Sequence, residues 1–162
     1  MTAIVVASNV LVQYPINDWL TYGAFTYPIT FLVTDLTNRK FGPVAARRIA
    51  VLGCATAVVL SFILATPRIA LASGTAFLSA QLLDIAIFSR LRRLVWWVPP
   101  LVSSLIASIW DTIIFFALAF AGTGLPWITW AAGDFLVKFA VALVLLVPFR
   151  MIAGSRRPLA PI

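Results

Sequence analysis

Four aspartates, Asp35, Asp84, Asp111 and Asp134, and one lysine, Lys138, stand inside long apolar stretches of a 162-residue chain. A charge at the centre of a membrane helix costs about 2.5–3.5 kcal/mol on insertion scales. Groups kept at that cost either pair with one another or hold a polar solute. Two segments, "QLLDIAIF" from Gln81 and "SIWDTIIF" from Ser108, both read polar-x-x-Asp-x-x-x-Phe. Positions i, i+3 and i+7 share one helix face. Gln81, Asp84 and Phe88 then form a single stripe of amide, carboxylate and aromatic ring. A carboxylate accepts two adjacent N–H groups in the plane of a nucleobase-like ring, and an amide reads a neighbouring donor or acceptor. Trp110 or Phe115 can cover the ring's face; the plain alternative is that these aromatics pack within a bundle. Two similar faces on consecutive, antiparallel helices suggest an inverted pair around one cavity, with chance matching as the rival reading.

The remaining charges sort by depth. Helical rise gives Asp111 and Lys138 similar depth, so they can pair across helices. Asp134 lies one turn from Lys138 and can pair with it locally. Asp35 precedes Arg39 by four residues, and an i,i+4 ion pair is expected there. Asp18 falls in a connection and reads as solvated. The chain has no histidine, which removes the commonest metal ligand and general base. The single cysteine, Cys54, sits in a small-residue apolar run and reads as a packing residue. With no metal-spacing cluster and no nucleophile beside a base, neither an enzyme, a metal nor a cofactor is expected.

The elements that must position these groups follow from composition. The chain is 62% hydrophobic and 10% charged, with mean hydropathy +1.05. That leaves too little polar surface for a water-soluble domain and points to a lipid bilayer. A spanning helix needs about 20 mostly apolar residues. The expected fold class is all-α: one transmembrane domain, a bundle of six helices at Thr2–Ile16, Trp19–Asn38, Val44–Thr66, Ile69–Ser89, Val95–Ala121 and Leu125–Met151. The short breaks suit antiparallel neighbours. Pro28, in "TYPIT", removes a backbone donor and pushes Tyr27 out of helical geometry, so the second span is expected to be broken there, with a simple proline kink as the rival reading. Broken helices at membrane depth often border substrate sites.

Net charge is +7, but no nucleic-acid module is visible and nucleic acid is not an expected partner. The cations cluster instead: Arg39, Lys40, Arg47 and Arg48; Arg90, Arg92 and Arg93; Arg150, Arg156 and Arg157. The positive-inside rule then places both termini in the cytoplasm, with Arg68 alone on the far side. Trp96 and Trp97 suit an inner interfacial belt and Trp19, Trp127 and Trp130 an outer one, while Trp110 lies near mid-depth. The apolar start, Met1–Val12, lacks the basic region of a cleavable signal.

The segments "SNVLVQYP", "GAFTYPITFLVTDLTNRKFGPVAARR", "QLLDIAIFSRLRR" and "SIWDTIIFFALAF" resemble the queuosine precursor transporter family, also called the VUT family. The resemblance runs from about Ser8 to Phe149. It implies a six-helix importer in a bacterial inner membrane. The implied substrate is a 7-deazaguanine precursor of queuosine, in its cyano or aminomethyl form. The chain is shorter than the family pattern before the first span and between the third and fourth. Such a base carries a ring N–H and an exocyclic amine side by side, and Asp84 and Asp111 are the natural acceptors. Gln81, Asn9 and Lys138 can meet its carbonyl or cyano side, and Tyr27, Trp110, Phe88 and Phe115 can stack on it. The alternative is a substrate-binding membrane subunit of an ATP-driven vitamin-type uptake complex. The chain itself has no phosphate-binding Gly-x-x-x-x-Gly-Lys-[Ser/Thr] loop. A homodimer is one possible assembly, since small bundles commonly form two-fold pairs.

Overall fold

Proline and glycine punctuate the chain. The computed structural model describes residues 1–153. It contains helix α1 (Thr2–Leu11), a two-stranded antiparallel hairpin of β1 (Pro15–Asn17) and β2 (Leu20–Thr21), and a single 3-10 turn over Tyr22–Phe25. Helices α2 (Ile29–Phe41), α3 (Pro43–Leu64), α4 (Pro67–Leu91), α5 (Val98–Phe120) and α6 (Trp127–Ala153) follow. Prolines open α3, α4 and α5, where a missing N–H costs nothing and the fixed φ suits the first turn. Thr66 caps α4 by accepting from the Ile69 amide at 3.3 Å. Gly42, at φ 85°, makes the reversal between α2 and α3 that a side chain would strain.

Helices dominate, as the composition requires, and α3, α4, α5 and α6 are long and apolar enough to cross a membrane. The first two expected spans take another form. Helices α1 and α2 have 10 and 13 residues, about 15 and 20 Å at 1.5 Å per residue, against a hydrocarbon core of about 30 Å. The interval between them is a hairpin and a 3-10 turn, because Pro15, Asn17 and Asp18 favour a reversal over a helix. Met1 packs beside Gly53, midway along α3, so α1 runs from mid-depth to the hairpin only.

The bundle has two distinct ends. At one, the hairpin lies on the start of α6: Trp130 Nε1 donates to the Asn17 carbonyl at 3.2 Å and Thr129 Oγ1 to the Asp18 carbonyl at 2.6 Å. Gly133 is required there, since any Cβ would overlap the Trp19 carbonyl. Arg68 sits at this end because its guanidinium donates to the Leu118 and Ala121 carbonyls, at 2.8 and 2.6 Å, and closes the C-terminus of α5. The other end carries the clustered cations. There Arg39 Nη1 donates to the Arg92 carbonyl at 3.2 Å, and the Arg150 guanidinium lies 4.7 Å from the Trp96 ring centre. Arg156 and Arg157 lie outside the described residues.

Packing between helices uses small residues, as helices must in lipid. Ala46, Ala50, Gly53, Cys54, Ala57 and Ser61 make the buried face of α3. Cys54, a buried free thiol, meets the Gly74 carbonyl of α4 at 3.5 Å. Leucines, isoleucines and valines cover the outside.

Candidate solute site

The bundle's centre is an ion-paired knot around Lys138, which is 3% exposed. Lys138 Nζ meets Asp111 Oδ2 of α5 at 2.8 Å and Asp134 Oδ2 of its own helix at 2.6 Å. Both pairings expected from depth and spacing are therefore present. Lys138 also donates to Thr112 Oγ1 at 3.1 Å, and that hydroxyl donates onward to Asp134 Oδ2 at 2.8 Å. Tyr27 OH donates to the second Asp111 oxygen at 2.8 Å, and its ring centre lies 4.9 Å from the ammonium. Two carboxylates against one ammonium leave the ionised knot one negative charge in excess.

Local structure places Tyr27. It lies between the 3-10 turn and α2, edge-on to Phe31 and Phe77 with ring centres 6.3 and 6.0 Å away. Its carbonyl accepts from Thr30 Oγ1 at 2.8 Å, and Thr30 Oγ1 accepts from Gln81 Nε2 at 3.2 Å.

Lys138 separates two small cavities, each about 20 Å³. Toward the hairpin, the walls include Asn9, Tyr27, Asp111, Phe115, Asp134 and Lys138. Toward the basic end, they include Phe31, Asp35, Ser104, Ser108, Lys138 and Phe149. Each has room for about one water molecule, far below the 300 Å³ or more of an ordinary ligand pocket. The bundle is closed around its centre.

Five of the nine nominated residues, Asn9, Tyr27, Asp111, Phe115 and Lys138, thus share the hairpin-side cavity. Asn9 is held by a hydrogen bond from Nδ2 to Ser61 Oγ at 2.9 Å. The other four lie elsewhere. Trp110 is 47% exposed on the outer surface, its Nε1 donating to Ser79 Oγ at 3.1 Å. Phe88 is buried edge-on against Phe149. Gln81 and Asp84 are fully buried in a second polar group. Asp84 there adjoins Asp35 and Ser103, and Ser104 Oγ donates to Asp35 Oδ2 at 3.3 Å. The two matching stripes therefore serve different partners: Asp84 meets Asp35, and Asp111 meets Lys138.

The expected Asp35–Arg39 ion pair is absent. Asp35 is 2% exposed and turns inward toward α4 and α5, while Arg39 reaches the Arg92 carbonyl at the bundle's end. Sequence reasoning also passed over Ser8, Ser73 and Asp134 as walls of the hairpin-side cavity. Ser73 precedes Phe77 by four residues, so extending the Gln81–Asp84 stripe backwards by two turns finds it.

Comparison with known proteins fixes the family. The sequence pattern of a family described as "Putative vitamin uptake transporter" matches residues 21–66 and 61–153. A "Probable queuosine precursor transporter" of Haemophilus influenzae is 34% identical, over 90% of this chain and 79% of its own length. The "Queuosine precursor transporter" of Escherichia coli K12 is 33% identical with the same coverages. The chain belongs to the queuosine precursor transporter family. A Bacillus subtilis relative with the "Probable queuosine precursor transporter" name is 31% identical over 85% of this chain and 73% of its own. No solved structure matches the chain. As a member of this family, the chain is a transporter in a membrane and not an enzyme.

Proposed function

We propose that the protein imports a 7-deazaguanine precursor of queuosine, cyano or aminomethyl, across a bacterial inner membrane. The base binds at the Lys138 knot. The observation that carries this reading is the convergence of Asn9, Tyr27, Asp111, Asp134 and Lys138 on one cavity at mid-depth. Buried charges that serve packing alone need no such cavity. On binding, the ring N–H and exocyclic amine take the Asp111 carboxylate, replacing Tyr27 and part of Lys138's contact. The ammonium turns to the ring carbonyl and keeps Asp134. Phe115 and Tyr27 flank the ring's faces.

The closed geometry fits alternating access. Lys138 lines both a cavity toward the hairpin and one toward the basic end, so widening either would open a path to its ammonium. The positive-inside rule makes the basic end cytoplasmic, so solute enters from the hairpin end. The test is uptake of labelled precursors by cells unable to make them, with and without this chain. Uptake restored by the chain alone supports the reading. No uptake of either form from correctly inserted protein, or uptake only with an ATPase partner, counts against it.

A further inference from the structure

The second polar group has a different chemistry from the first: it holds two carboxyl groups and, among the described residues, no ion-paired cation. Asp84, fully buried on α4, has neither carboxylate oxygen hydrogen-bonded, and Asp35 Oδ1, on α2, is also without a partner. Gln81 Oε1, one turn from Asp84, is buried and unpartnered too, and the buried Ser103 hydroxyl of α5 lies beside Asp84. The Asp35 and Asp84 carboxyl groups lie within hydrogen-bonding reach of each other. Two carboxylates cannot hydrogen-bond unless one carries a proton, and two ionised ones in contact cannot persist in an apolar interior.

Among the described residues, no cation is ion-paired with these carboxyl groups. On α2, Arg39 is turned to the Arg92 carbonyl. From α3, Ala46 and Ala50 pack on Ile85, next to Asp84, while Arg47 and Arg48 are exposed. The α5 face supplies Ser103 and Ser104. On α6, Lys138 borders the same cavity as Asp35, but its ammonium holds Asp111 and Asp134.

We propose that Asp35 and Asp84 form a proton-binding pair, sharing one proton in the closed bundle and exchanging it through the basic-side cavity. That cavity borders Asp35 and Ser104 and has room for one water, a route for the proton to leave. The pair lies toward the basic end from the Lys138 knot, so a proton taken from the hairpin side and released at the basic side would accompany solute. One proton is bound and one released per cycle, with no redox change. The coupling, but not the proton site, rests on the import reading above.

Infrared spectroscopy of the purified protein in liposomes tests the site without any solute. The wild type should show the C=O stretch of a protonated carboxyl at neutral pH, sensitive to deuterium. The Asp35→Asn/Asp84→Asn double variant, which mimics the protonated pair in shape, should lose it. Persistence of the band in the double variant, or its absence from the wild type, overturns the proposal. A second measurement needs no variant. Wild-type liposomes under an inward proton gradient should accumulate labelled precursor at least several-fold over those without one. Accumulation that follows a sodium gradient and ignores pH would assign the site to a metal cation instead and overturn the proton reading. Uptake indifferent to both gradients would likewise overturn coupling while leaving the import reading intact.

Discussion

Removing the Lys138 ammonium would leave Asp111 and Asp134 buried together without a counter-charge. Breaking a buried pair in this way costs about 3–5 kcal/mol, so Lys138→Met should melt well below wild type in detergent. Adding Asp111→Asn and Asp134→Asn should recover much of that loss, because all three charges are then gone, yet uptake should stay lost. Recovery of uptake with stability would reduce the knot to a structural role. Tyr27→Phe keeps the ring against Phe31 and Phe77 and deletes only the hydroxyl on Asp111. It should lower melting, because a buried acceptor loses its donor at about 1–3 kcal/mol. Solute binding should stay as tight or become tighter, because the base displaces that hydroxyl from Asp111; binding weakened tenfold would contradict the displacement. At this scale much was legible. Depth and spacing alone paired Lys138 with both aspartates, since a buried charge has few other fates. Asp35 was misjudged because i,i+4 spacing shows who is near, not which way a side chain turns. Only the packing of α4 and α5 on α2 shows that Asp35 faces inward.

Gly133 shows what the elements contribute. Its missing Cβ lets the hairpin backbone lie on α6, next to Asp134, a wall of the cavity that Asn9, Asp111 and Lys138 also line. Gly133→Val should overpack that contact at about 1–3 kcal/mol. Melting should fall, and the stretch around Asp18 should become open to protease; unchanged digestion there would contradict the seat of the hairpin on α6. The four long helices were legible because about 20 apolar residues between basic or proline-marked breaks admit few alternatives. The first 28 residues were less so. Apolar composition alone does not separate a ten-residue half-span from a full one, and the hairpin depends on its seat on α6.

For the molecule as a whole, the distribution of charge is the ground for the proposed sidedness. Cations gather at one end, and Arg68, the exception among the described residues, is occupied in closing α5. In a Cys54→Ser background, a cysteine at Thr123 should react with an impermeant maleimide in intact spheroplasts, and one at Phe41 only after lysis. The opposite pattern would reverse the direction of access. Composition pointed to the bilayer and the motifs to the family. How the stripes divide between two polar groups was not legible, because the partners come from α2 and α6, distant in sequence. The claim at the centre is that the Lys138 knot reads the base. Its most direct test is equilibrium binding of cyano- and aminomethyl-deazaguanine to purified wild-type and Asp111→Asn protein. The wild type should bind at least one form and Asp111→Asn, still folded by its melting curve, should lose tenfold or more in affinity. Equal affinity in the two proteins would contradict it.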